Sequence, residues 1–240
     1  MIDLLPVLGG AAFLASLLGS VAGSGGTAVL LPVMVLYFGV REAIPILTIA
    51  NLVSNLSRVA FNRREIVLPV VGWFSLGAIP LALTGAVLFT LTPPGLLTRG
   101  LGVFLLGTVA WRRLSPRPPR LERAAWFVPL GAMFGFLAGL LEGVGPLMAP
   151  FFLAHGLLRG AYIGTDALAT VFMQISKLAV FGGADILGPR VLTAGLMLAP
   201  FMIAGAYAGK RIVDRVPERV FVILIEITLV VAGLGFLLRG

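Results

Sequence analysis

Of the 240 residues, 59% are hydrophobic and only 12% charged, with a formal net charge of +8 and a mean hydropathy of +1.06. A soluble domain carries about 25% charged residues, so this composition cannot clothe a water-facing surface and must turn apolar side chains toward lipid. The excess positive charge lies in short loops and forms no basic face interleaved with aromatics, which argues against nucleic acid as a partner, while the lack of cysteine excludes disulfides, thiolate metal sites and thiol nucleophiles.

The chain opens on Met1-Ile2-Asp3 without the basic stretch of a signal peptide, so its first apolar segment is expected to be a span of the mature protein. Ten apolar segments follow in order. The first half gives 4–22, 27–39, 43–61, 67–91 and 95–111; the second gives 124–141, 146–158, 161–181, 190–209 and 220–238. Between them lies the most polar stretch, Arg112 to Arg123, whose prolines remove backbone donors and block helix continuation. The expected organisation is a first membrane repeat over 1–111, a basic linker over 112–123 and a second membrane repeat over 124–240.

The halves match in several places and in the same order. Gly19-Ser20-Val21-Ala22-Gly23 parallels Gly135-Phe136-Leu137-Ala138-Gly139, and a glycine-rich break follows each, at Ser24-Gly25-Gly26 and at Glu142-Gly143-Val144-Gly145. Pro32 and Pro150 come next, then the stretches Ile49 to Arg58 and Leu168 to Lys177, then Pro80 with Gly85 and Pro200 with Gly205. This is an internal duplication. The linker carries five arginines, which places it in the cytoplasm by the positive-inside rule, together with the Arg63-Arg64 loop and the loop of Lys210, Arg211, Arg215 and Arg219. Those three assignments agree only if the first two segments of each half form a hairpin that enters and leaves on one side. The expected fold is therefore an all-α polytopic membrane protein of two inverted repeats, each a Gly-broken helical hairpin plus three spanning helices. Eight spans, with each hairpin read as one helix, is the alternative.

The breaks direct attention to a site. Consecutive glycines disfavour helix, each by roughly 1 kcal/mol against alanine. Broken backbone at membrane depth is tolerated only when buried in protein or lining a cavity. The segments that follow begin near Thr27 and Pro146, and their N-termini offer free N–H groups and positive dipole ends, a ready anion site. The candidate substrate-binding residues are Gly23, Ser24, Gly25, Gly26 and Thr27 at the first break and Gly143 and Gly145 at the second. Asn51 and Asn55 form a polar face on one helix, as Thr170 and Gln174 do on another. Arg58 and Lys177 occupy matching positions, each either drawing in the anion or snorkelling to the headgroups. Glu142 is the ion-coupling candidate as a proton carrier, or else a helix cap. Glu226 is a mid-span acid that either pairs with a base or faces the interior. Asp166 and Asp185 are expected near the interfaces, Trp73, Trp111 and Trp126 in the interfacial belt, and the single histidine, His155, in a structural role.

The motif G-x-x-A-G-x-G-G followed by proline, carried by Gly19 to Gly26 with Pro32 and again by Gly135 to Gly145 with Pro150, resembles the TauE/SafE family of membrane permeases. That family is also called the TSUP family of sulfite and sulfonate exporters. The resemblance covers essentially the whole chain and implies export of a small organosulfur anion such as sulfite, sulfoacetate or a related sulfonate, coupled to an ion gradient. Ser24, at a position often glycine in the family, and Glu142 depart from the pattern.

The expected function is that of a secondary transporter of a small anion in the cell inner membrane, working by alternating access around a midplane site. Protons are the candidate coupling ion and membrane lipids the surrounding partners; no cofactor and no metal are expected. An anion channel, an uptake permease for another oxyanion and an accessory membrane subunit stay open as alternatives. An intramembrane enzyme is disfavoured, because neither H-E-x-x-H nor G-x-S-x-G occurs, and no G-x-x-x-x-G-K-[ST] loop is present to draw on ATP.

Overall fold

The computed structural model describes residues 5–21, 26–114, 120–212 and 218–239. Within them the regular elements are helical: α1 (Leu5–Val21), α2 (Gly26–Asn62), α3 (Leu68–Leu91), α4 (Pro94–Leu114), a 3-10 turn (Ala124–Trp126), α5 (Phe127–Leu140), α6 (Gly145–Ala154), α7 (Arg159–Gly183), α8 (Pro189–Ile212) and α9 (Glu218–Arg239). The apolar segments expected from sequence recur as helix with ends shifted by a few residues, with one difference. The second and third run together as α2, although the helix is broken at Gly39, whose φ of 70° and ψ of 164° lie outside helical space. Glycine reaches such angles without a Cβ clash, so 26–38 and 40–62 are two helices meeting at a bend. Gly156, with φ of 92°, turns the chain at the corresponding place between α6 and α7.

Length decides which of these elements can cross a bilayer. Five helices are long and apolar enough: Leu30–Asn62, Leu68–Leu91, Pro94–Leu114, Gly160–Gly183 and Pro189–Arg211. Even after the bend at Gly39, the 40–62 part runs about 35 Å at 1.5 Å per residue, enough for a hydrocarbon core of about 30 Å. By contrast α5 has 14 residues and α6 has 10, or about 21 and 15 Å. Neither reaches across alone. They fold back on each other instead: Phe134 meets Phe151, Phe127 meets Phe152, and Leu121 N–H donates to Ala154 O at 3.2 Å. The closed end of this hairpin is the non-helical stretch 141–144. In the first half, Thr27 Oγ1 donates to Asn51 Oδ1 at 3.1 Å, which lays the start of the 26–38 helix beside the middle of 40–62.

The halves interlock rather than sit side by side. α3 packs along α5 and α1 along α8, each pair running in the same direction: Gly77 abuts Val128 and Gly85 abuts Phe136, just as Gly205 abuts Phe13 and Gly209 abuts Leu17. Two further pairs run oppositely. α2 meets α7 with Asn62 beside Gly164 and Asn55 beside Gln174, and α4 meets α9 with Gly102 beside Gly233 and Arg113 bonded to Glu226. Small residues let these backbones approach closely. Arg41 on α2 donates to Thr90 O and Thr92 O, satisfying carbonyls at the C-terminal end of α3.

The surface is inverted relative to a water-soluble protein. Leu76, Leu83 and Val87 of α3 and Leu192, Leu196 and Ile203 of α8 are exposed. Arg58, Glu142, Asp166, Gln174 and Lys177 are buried. Trp73, Trp111 and Trp126 stand on the outside, as belt residues would. Glu226 takes the pairing alternative, with its carboxylate 2.8 Å from Arg113 Nη2. His155 has its Nδ1 on Leu121 O and its ring edge against Phe127, tying the foot of the α5–α6 hairpin. Of the linker, 115–119 lie outside the described residues, as do 213–217 of the second basic loop.

The α3–α5 seam makes a direct prediction. A Cβ on Gly135 would sit 2.7 Å from Ala78 Cα, whereas one on Gly72 meets open space. Gly135→Val should lower stability by about 1–3 kcal/mol through overpacking, and Gly72→Ala should change it little. Thermal unfolding of the detergent-solubilised protein, followed by size-exclusion chromatography, reads the difference.

Candidate anion site

Two helix faces build the site. On α2, Asn51, Asn55, Arg58 and Asn62 follow one another at intervals of four and three residues; on α7, Asp166, Thr170, Gln174 and Lys177 do the same. Such spacing lines up one side of a helix. Because the two helices run oppositely, the faces meet. Asn55 Nδ2 donates to Gln174 Oε1 at 3.3 Å, and Arg58 Nη1 lies 3.5 Å from Asn55 Oδ1. The tip of the α5–α6 hairpin closes the space between them.

The result is a cavity of about 60 Å³. A water needs roughly 10–15 Å³ on that measure, so the space suits a few waters or one small oxyanion. Its polar wall carries Thr27, Asn55, Arg58, Glu142, Asp166, Thr170, Gln174 and Lys177, and its apolar wall Ala138, Val144, Met148 and Met173. Gly143, with φ of 85°, and Gly145 bring backbone to the surface of the cavity at the start of α6. A helix N-terminus there supplies a positive dipole end and amide donors.

The two cations are held differently. Lys177 is 1% exposed, and its Nζ lies 2.7 Å from Glu142 Oε1 and donates to Leu141 O at 3.2 Å. Thr48 Oγ1 reaches both Glu142 Oε1 at 2.9 Å and Ile44 O at 2.8 Å, and its single proton serves one at a time. The lysine charge is thus balanced at the hairpin tip. Arg58 is also buried, but no carboxylate lies within 4.0 Å of it among the described residues, and its Nε has no hydrogen-bond partner. Asp166 interacts with Arg58 electrostatically from across the cavity, and its Oδ1 is buried and unpartnered. An arginine fork with unused donors is suited to an oxyanion.

Most of the residues singled out from sequence converge here. Thr27, Asn55, Arg58, Glu142, Gly143, Gly145, Thr170, Gln174 and Lys177 line the cavity. Asn51 stands one step behind, bonded to Thr27. Gly26 opens α2, while Gly23, Ser24 and Gly25 lie outside the described residues. Three readings change. Arg58 and Lys177 are buried, so neither snorkels. The Glu142 carboxylate faces Lys177 and Thr48 rather than capping α6. Asp166, expected near an interface, is a wall of the cavity and only 4% exposed; Asp185, by contrast, is exposed in the loop after α7. The signal for Asp166 was present in its spacing of four from Thr170 and eight from Gln174.

Removing one partner of a buried ion pair strands the other charge at a cost of about 3–5 kcal/mol. Glu142→Ala should therefore destabilise the fold by about that amount, and Glu142→Ala with Lys177→Met should recover much of it. A double-mutant cycle on thermal unfolding measures both.

Comparison with known proteins agrees with this architecture. The family model described as sulfite exporter TauE/SafE matches residues 8–236, nearly the entire chain and both halves of the site. No curated protein and no solved structure matches the chain. With many apolar helices around a buried polar cavity, it is a multi-pass membrane protein of a transporter family. The chain belongs to the sulfite exporter TauE/SafE family.

Proposed function

We propose that this protein is a secondary transporter that exports sulfite or a related organosulfur anion across the cell inner membrane, by alternating access around the cavity between α2, α7 and the α5–α6 hairpin tip. The observation that carries the reading is Arg58. It is a buried guanidinium with an unused donor, facing a space of oxyanion size beside the N-terminus of α6. Thr170, Asn55 and Gln174 add neutral polar groups with donors around the same space. Met148, Met173 and Val144 keep it partly dry, which strengthens each charge-assisted contact.

The motion belongs to the same reading. The α2–α7 and α4–α9 pairs join corresponding helices of the two halves in opposite directions, as an inverted duplication requires. In that arrangement both hairpins are re-entrant, both termini lie outside, and the basic loops of the linker and of 210–219 face the cytoplasm. Rocking one half against the other would open the cavity to each side in turn. The glycine and alanine seams between α3 and α5 and between α1 and α8 are the surfaces that slide.

Purified protein in liposomes loaded with unlabelled sulfite should accumulate radiolabelled sulfite by exchange, and empty liposomes should not. Arg58→Ala should cut the exchange rate about tenfold or more, from loss of a charged hydrogen bond, while Arg112→Ala in the linker should leave it near wild type. Absence of exchange with sulfite and with sulfonates would contradict the reading, and so would large unitary currents, the mark of a channel.

A further inference from the structure

The cavity contains more charge than anion binding requires, and the sum of that charge has a consequence. Its wall holds two cations, Arg58 and Lys177, and two carboxylates, Glu142 and Asp166. All four side chains are at least nine-tenths buried as residues, at 9%, 1%, 8% and 4% exposure. With every group ionised, the empty site is neutral. An anion that enters alone leaves the closed cavity with a net negative charge, and an unbalanced buried charge costs several kcal/mol. The site becomes neutral again if a proton enters with the anion and one carboxylate takes it up.

The two carboxylates are not equally free to do so. Glu142 Oε1 is held by the Lys177 ammonium at 2.7 Å and lies within reach of Thr48, and protonating it would strand the least exposed charge of the four. Asp166 has no cation within 4.0 Å among the described residues, and its Oδ1 is buried in the cavity wall without a hydrogen-bond partner among them. Protonated there, it becomes a donor. The ionisable groups around it are few. Arg58 faces it from α2, Tyr162 lies one turn earlier on α7, and the exposed Glu65 of the α2–α3 loop rests against Gly160. Glu142 and Lys177 close the far side of the cavity, and α3, α5 and α6 contribute no ionisable side chain.

We propose that Asp166, rather than Glu142, carries the proton that accompanies the anion, so that loaded and empty cavities are both neutral and net transport moves no charge. In the empty state Asp166 is ionised and balances Arg58 across the cavity. When the anion binds Arg58, the proton on Asp166 replaces that balance and turns its oxygen into a hydrogen-bond donor. Lys177 and Glu142 stay paired throughout and hold the hairpin tip in place. This rests on the transport reading above, and the experiment separates the two.

Sulfite flux in liposomes is measured in two modes, exchange and net uptake, with the membrane potential clamped by potassium and valinomycin. Wild-type net uptake should be indifferent to an inside-positive potential. Asp166→Asn fixes the neutral form, so the loaded cavity stays neutral while the empty one keeps a positive charge. The ratio of net uptake to exchange should then fall about tenfold or more, because the empty return carries an unbalanced charge, and the remaining net uptake should depend on potential. Asp185→Asn, at an exposed left-handed position that asparagine also tolerates, should keep the wild-type ratio. Wild-type uptake that rises steeply with inside-positive potential would overturn the proposal even if Asp166→Asn failed to fold. A folded Asp166→Asn protein with unchanged ratio and no potential dependence would overturn it as well. Wild-type protein that shows no sulfite exchange at all refutes the transport reading itself.

Discussion

Burying charge in a membrane protein requires that each charge find a counterpart or a ligand, and this constraint shapes the centre of the molecule. Lys177 sits almost fully enclosed, and its ammonium is held there by the Glu142 carboxylate and the Leu141 carbonyl. That carboxylate, Glu142, lies on the interrupted backbone between α5 and α6. The ion pair therefore fixes where the hairpin tip stops, and the tip in turn exposes Gly143 to Gly145 toward the cavity. Loosening the pair would free the α6 N-terminus, and with it one wall of the site.

The hairpin depends on the same economy of polar groups. A 10-residue helix cannot cross the bilayer, so α6 has to end inside the protein, where its partners are α5, α7 and the aromatic cluster of Phe127, Phe134, Phe151 and Phe152. Around this core the long helices α3, α4, α7 and α8 turn leucine, valine and isoleucine outward. Glycine and alanine seams let α3 lie against α5 and α1 against α8 backbone to backbone. Close approach is favourable where lipid offers no competing hydrogen bonds and small side chains lose little entropy on packing.

Much of this was legible in the sequence. Apolar run length alone located every helix, because a span is defined by its hydropathy more than by its propensity. The breaks were visible as clustered glycines, and the polar faces of α2 and α7 as residues four apart. Two things were not legible. The partner of Lys177 depended on how α5 and α6 fold back, which no local pattern encodes; Glu142 and Lys177 are 35 residues apart. Asp166 was expected near an interface, and its burial in the cavity wall depends on how α2 packs against α7, which no local pattern encodes either.

The account stands on an anion lying between Arg58 and the backbone of Gly143 to Gly145. Cryo-electron microscopy of the protein in lipid nanodiscs with and without sulfite tests this most directly. The account predicts a ligand-dependent feature of sulfite size within hydrogen-bonding distance of the Arg58 guanidinium, enclosed by α2, α7 and the hairpin tip. A hairpin tip facing lipid, or sulfite bound elsewhere with this cavity empty, would contradict it.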